Sequence, residues 1–184
     1  ESKLASGCKG AQRVIVRVRG REAHSAYAHL GSSALEPLLD MLPQLRALVL
    51  PVDPVLGETT YNIGVLRAGT EANIVPGLAE AEIMIRLVGD VGPVKQAFSD
   101  WAGTRAELIW GSHIPAQYFH VLNGFEVVPV AYTSDIPLLD RWGTPLLFGP
   151  GSIHVAHTPI EYVDVAELEA SVGAYERIVR TLLA

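Results

Sequence analysis

Histidines are the residues of this chain best suited to chemistry, and there are six of them. His154 and His157 stand in FGPGSIHVAHTPIEYV, residues 148–163, a loop rich in glycine and proline. That spacing can bring two imidazoles near one metal ion. A catalytic zinc usually takes three protein ligands, so the pair alone reads first as two surface or turn histidines. His24 stands in GREAHSAYAHL, at the joint between a basic strand and an apolar helix. It is open to three readings there: a catalytic group, a metal ligand, or a polar loop residue bonded to backbone. Asn73 tolerates turn conformations and reads as structural. Arg86 lies on the polar side of a strand, where a solvated charge is the ordinary reading. Other chemistries lack their motifs. GPGSIH has no Lys-Ser/Thr ending of a phosphate loop, no GxSxG elbow appears, and no GxGxxG turn opens a helix.

The elements that must hold these residues follow from periodicity. In RVIVRVRG, Val14, Val16 and Val18 share one face, and Arg13, Ile15, Arg17 and Arg19 the other, which predicts a strand with one buried side. Ser33 with Glu36 reads as a capping box for a helix carrying Leu38, Leu42, Leu45 and Leu48, kinked or split at Pro43. ETTYNIGVLRAG and LAEAEIMIRLVG predict two strands, residues 58–69 and 78–89, with a loop between them. A short helix is expected from Pro93 to Gly103, and a strand over residues 105–110. The order strand, helix, strand, strand, helix, strand is the ferredoxin-like βαββαβ pattern. It fills roughly residues 1–112.

Residues 113–184 differ. EVVPVAY and TPLLFG read as short buried strands, and SDIPLLDRWG between them as a short helix. A last helix starts at Asp164, with Val165, Leu168, Val172, Tyr175, Val179 and Leu182 as its apolar stripe. About seventy residues with few strands cannot readily bury that stripe, so this segment is expected to belong to a larger α/β domain.

Composition narrows the partners. With 49% hydrophobic and 18% charged residues the chain is not disordered. A net charge of -6 without an extended basic face argues against nucleic acid. No apolar run approaches a membrane span, so no membrane partner is expected. The single cysteine, Cys8, excludes an internal disulfide and fits a reducing, cytoplasmic compartment. A start at Glu1 rather than methionine suggests a processed chain or a fragment.

Four segments occur together in an order that resembles a known family: GCKGAQRVIVRVRGREAHSAYAHLGSSAL, YNIGVLRAGTEANIVPG, AEIMIRL and FGPGSIHVAHTPIEYV. They are similar to the dizinc aminoacylases and exopeptidases of the twentieth metallopeptidase family, which includes acetylornithine deacetylase, succinyl-diaminopimelate desuccinylase and glutamate carboxypeptidases. The resemblance implies an α/β (α+β) chain: a ferredoxin-like lid over residues 1–112, then over residues 113–184 the C-terminal part of a zinc-hydrolase catalytic domain. It implies that His24 reaches into a partner subunit's active site and steadies the oxyanion of the tetrahedral intermediate. Asn73, Arg86 and Thr133 match substrate-binding positions, and His157 matches the last zinc ligand, whereas His154 has no counterpart. It also implies a homodimer through the lid, a small N-acyl amino acid or peptide as substrate, and two zinc ions (or cobalt) in the intact parent.

The chain departs from that pattern in two respects. Ala28 replaces the proline usual in the histidine motif. The family's first zinc histidine, bridging aspartate, paired glutamates and fourth ligand have no match in this sequence. One ligand cannot hold two metals, so this chain alone is expected to be inactive and to bind no zinc tightly. The rival reading is a non-catalytic ferredoxin-like dimerisation or binding module without a metal centre.

Overall fold

The computed structural model describes residues 2–184. Its strands and α-helices, in chain order, are β1 (Leu4–Cys8), β2 (Gly10–Arg19), α1 (Leu35–Met41), β3 (Val52–Asp53), β4 (Gly57–Glu58), β5 (Thr60–Ala68), β6 (Leu78–Leu87), α2 (Val91–Ala102), β7 (Glu107–Ile114), β8 (Gln117–Tyr118), β9 (Val127–Val130) and α3 (Val165–Leu183). They fall into two compact units. Lys9–Ala116 forms one, and Glu1–Cys8 with Gln117–Ala184 forms the other. Residues before Lys9, counted with the lid in the sequence, thus build the second unit, and the boundary lies near residue 116 rather than 112.

The first unit has the ferredoxin-like arrangement expected for the lid. Its sheet runs β5-β6-β2-β7, and every neighbouring pair is antiparallel. In the order of the βαββαβ strands this is 2-3-1-4. Alternation in β2 buries Val14, Val16 and Val18 and turns Arg13, Ile15, Arg17 and Arg19 to the open face. On β6 the buried row is Ala79, Ala81, Ile83, Ile85 and Leu87. Leu38 and Met41 of α1, Leu45 beyond it, and Val94, Phe98 and Trp101 of α2 pack on that face. The Trp101 indole N–H donates to the Met41 carbonyl at 3.3 Å and ties the two helices together. Gln12 falls in the apolar row yet is fully buried. The β2–β7 register slips between Gln12 and Val14, and there the Gln12 amide donates to the carbonyls of Arg13, Gly111 and Ser112.

Several boundaries follow local chemistry. Ser33 Oγ accepts the Glu36 N–H at 3.4 Å before α1. The α-helix ends at Met41, and a 3-10 helix, Leu42–Ala47, carries on with Pro43 in its first turn. α2 starts two residues before Pro93, because Asp90 caps it by accepting the Gly92 N–H. Its end at Gly103, with φ 52°, is the expected one.

In the second unit β1 is central, antiparallel to β8 and parallel to β9. Neither β1 nor β8 was evident in the sequence. The segment TPLLFG is not a strand, which corrects the expectation. β8 pairs with β1 only at Gly7 and Cys8, and this segment meets β1 beyond that through one bridge, Leu4 to Phe148, and a bond from the Ala5 N–H to the Leu147 carbonyl, while its Pro145 carbonyl accepts the His120 N–H. The short helix expected in SDIPLLDRWG is a 3-10 turn, Ile136–Leu138. Asp164 caps α3 through the amides of Ala166 and Glu167. The helix buries Ser171, Ala174 and Ile178, whereas its apolar stripe stays open, with Val165 and Val172 each 68% exposed. No described helix is long and apolar enough to cross a membrane.

Candidate active site

The loop that carries His24 is fixed through its backbone. β2 ends at Arg19, and Gly20 then passes so close to the Ser32 carbonyl that a β-carbon would overlap it. Arg21 and Ser32 exchange both of their N–H···O bonds, at 2.8 and 2.9 Å, closing the loop at its base. A second seam joins it to the loop after β5. The Ser25 N–H donates to the Asn73 carbonyl at 2.8 Å, the Val75 N–H to the Ala23 carbonyl at 2.9 Å, and the Ala34 N–H to the Pro76 carbonyl at 2.8 Å. The structure therefore brings His24 and Asn73 together.

His24 itself is extended, with φ −64° and ψ 131°, and caps a 3-10 helix, Ser25–Leu30. Its Nδ1 accepts the Ala26 N–H at 3.1 Å, and its carbonyl accepts the Tyr27 N–H at 2.8 Å. The Tyr27 ring stands edge-on between two imidazoles, 6.5 Å from His24 and 6.4 Å from His29. His24, Tyr27 and His29 are all exposed. The loop is thus a rigid projection with its imidazole on the outside.

Arg86 lies elsewhere. It pairs with Ala11 and Thr60 on the open face of the sheet, eight residues along β6 from Leu78, or about 26 Å. That end of the sheet is where the chain enters the first unit at Gly10 and leaves it after Ile114. The His24–Asn73 seam is at the other end. Between the two ends the open face carries an ion-pair ladder: Arg13 and Arg67 on Glu82, Arg17 on Glu80, and Arg19 on Glu107. Hydrogen bonds from Arg67 and then Arg13 hold the Glu82 carboxyl below its ordinary value of 4.5.

Thr133 and His157 belong to the second unit. Thr133 is half-buried in the loop after β9. His157 is exposed and adopts φ 63°, a left-handed backbone that a residue with a β-carbon seldom takes. Its N–H donates to Glu161 Oε2 at 3.1 Å, which fastens that conformation. Glu161 was not singled out in the sequence; its place four residues after His157 was the available signal. Tyr27 and the Ala26 amide were missed as well, since backbone bonding leaves no mark in residue type. His154 is exposed, and its N–H donates to Ser152 Oγ.

Among the described residues no three His, Cys, Asp or Glu side chains gather closely enough to hold a metal ion. The Glu161 carboxylate beside His157 takes its backbone N–H, and no third ligand joins the two among the described residues, so these residues do not fit a metal centre by themselves.

Residues 6–107, from β1 to the start of β7, match the family model of the M20 peptidase dimerisation domain. The chain belongs to the M20 peptidase family. A Schizosaccharomyces pombe protein named as containing a peptidase M20 domain is 38% identical over 182 residues, which cover 97% of this chain and 46% of that one. An Aspergillus niger protein named probable carboxypeptidase is 34% identical over 97% of this chain and 48% of its own. The chain spans about half the length of these curated relatives. In fold it is similar to the aminopeptidase PepT of Bacillus cereus, with a TM-score of 0.65 at 22% identity over 92% of this chain and 51% of that one. A Staphylococcus aureus tripeptidase gives a TM-score of 0.61 at 19% identity over 80% of this chain and 45% of its own. The M20 match contains His24, Asn73 and Arg86; Thr133 and His157 lie outside it.

Proposed function

We propose that this chain supplies the lid and the C-terminal catalytic segment of a homodimeric M20 amide hydrolase, acting on an N-acyl amino acid or a small peptide. The observation that carries the reading is the placement of His24. It sits on an exposed, backbone-bonded loop at the end of the lid opposite the one where the chain enters and leaves, beyond the ten-residue β2 and so about 30 Å away. Among the described residues nothing accepts a hydrogen bond from its outward nitrogen. A donor so placed is suited to a site on another subunit.

Each residue then has a task. His24 donates to the oxygen that gains negative charge as the amide carbon becomes tetrahedral. Asn73 and Arg86 hold the carboxylate or backbone of the substrate. They lie at opposite ends of one lid sheet, which supports a reading in which the two residues of one lid serve different active sites. Thr133 lines the substrate. The name carboxypeptidase borne by relatives supports a substrate with a free carboxylate. His157 is the one proposed metal ligand in this chain; two zinc ions, or cobalt, enter the proposal through the family resemblance, and their other ligands lie outside residues 1–184.

The lid also offers a surface for pairing. β5 is an edge strand with an open row of backbone groups. Ile63 and Leu66 face the helix-bearing side yet are 38% and 46% exposed, and Leu39 of α1 is exposed as well. The opposite edge, β7, is covered on that side, where Phe98 packs on Trp110. We therefore assign dimerisation to the β5 edge with α1.

Amide release tests the reading. Residues 1–184 with added zinc should liberate no amino acid from N-acetyl amino acids or dipeptides, and the product of the native gene should. Turnover by residues 1–184 alone, or none by the native gene product on any of these substrates, overturns it.

A further inference from the structure

We propose that the backbone amide of Ala26 is a positioning group that holds His24 as its Nε2–H tautomer, so that the lid presents a neutral hydrogen-bond donor and not a base. A neutral imidazole has one donor nitrogen and one acceptor nitrogen. Nδ1 accepts from the Ala26 N–H at 3.1 Å. The ring proton is therefore on Nε2. The opposite tautomer would set an Nδ1–H against the Ala26 N–H, two donors facing each other with the bond lost. An amide donor cannot exchange roles as a hydroxyl can, so the local geometry admits a single neutral form.

The amide is also held in place. The Ser25 N–H bonds to the Asn73 carbonyl, the Val75 N–H to the Ala23 carbonyl, and the Tyr27 N–H to the His24 carbonyl. Turning the Ala26 amide away from the ring breaks this seam. The outward Nε2–H has no acceptor among the described residues. Such a nitrogen can give a hydrogen bond to an anionic oxygen, but while it carries its proton it cannot take one from water. The inference deepens the proposed function, because it rests on His24 serving an oxyanion and assigns it the electrophilic role rather than that of general base.

The lock is read by nuclear magnetic resonance on residues 1–184 at mildly alkaline pH, independently of turnover. A coupling across the hydrogen bond should connect the Ala26 amide nitrogen with His24 Nδ1, and the ring proton should be bonded to Nε2. His24→Ala should speed exchange of the Ala26 amide by roughly tenfold, the usual worth of one such bond. His24→Asn, whose Oδ1 can take the place of Nδ1, should preserve the slow exchange. The Tyr27 amide, bonded to a backbone carbonyl, serves as the control for loop folding. If it too accelerates in His24→Ala, the His24→Asn variant and the wild-type coupling decide. A proton on Nδ1, a missing coupling, or Ala26 exchange indifferent to His24→Ala overturns the proposal. A lock confirmed here, with normal turnover in a His24→Ala native enzyme, would overturn the oxyanion role and leave the tautomer assignment standing.

Discussion

Substituting Leu66 by lysine should separate the dimer without unfolding the lid. Leu66 is opposite Ala81 in the β5–β6 register and is already 46% exposed, so the lid loses little of its own core. Full burial of a leucine contributes about 1.5–3 kcal/mol. About half of that remains to be gained at the interface, or about 1 kcal/mol per copy. Two copies meet across a symmetric edge, which makes about 2 kcal/mol, before any cost of taking two ammonium groups out of water. The dissociation constant should rise at least about thirtyfold. Sedimentation velocity across a concentration series measures it, and a thermal melt checks that the monomer fold stays within about 0.5 kcal/mol, as surface substitutions do. Lysine at the exposed Ser112 on β7, the other edge, should leave the dimer intact. A Leu66→Lys constant unchanged from the wild type, or dissociation caused by Ser112→Lys, would refute the assignment of the β5 edge.

Three further outcomes are expected. Phe98 is fully buried between Trp101 and Trp110, so Phe98→Ala should cost about 3–5 kcal/mol in denaturant unfolding; a loss below about 1 kcal/mol would show that the helix-bearing face is not the lid's core. The Glu82 carboxyl is held below 4.5 by Arg67 and Arg13, so its ion pairs favour the folded state above that value and cease to do so as pH falls through the depressed folded pKa. The stability difference between wild type and Glu82→Gln should therefore be small and steady near neutrality and shrink on acidification, and growth of the difference in acid would reverse the sign of the argument. Calorimetry should find no tight zinc site in residues 1–184, and stoichiometric binding that survives His157→Ala would place the metal chemistry elsewhere in the chain.

The lid was legible because its signals are local. Alternation in β2 and β6 marks both strands and their buried faces, and the glycine after α2 marks its end. The second unit was harder to read for a physical reason. β1 and β8 are too short to show a period, and whether TPLLFG becomes a strand depends on how far it runs along β1, a tertiary fact. The exposed stripe of α3 could be anticipated, since too few strands accompany it to cover it. At the candidate site, His24 was marked by residue type and motif, but its orientation comes from an amide two residues on and from Asn73, 49 residues away. His157 was marked in the same way, whereas its left-handed backbone and the Glu161 carboxylate that secures it emerge only from the folded loop.

Whether His24 serves the active site of the other subunit is decided by mixing inactive dimers. In the native gene product, His24→Ala should keep its metal content and dimerisation and lose turnover by on the order of a hundredfold to a thousandfold, with little change in substrate binding. His157→Ala should be inactive for want of a metal ligand. A heterodimer of the two has one site with an intact metal ligand facing a partner with an intact His24. Co-expression or subunit exchange should restore up to about half of the wild-type activity per heterodimer, one working site of two. If His24 acted within its own subunit, no site in that heterodimer would be complete, and mixed dimers as inactive as either parent would contradict the account.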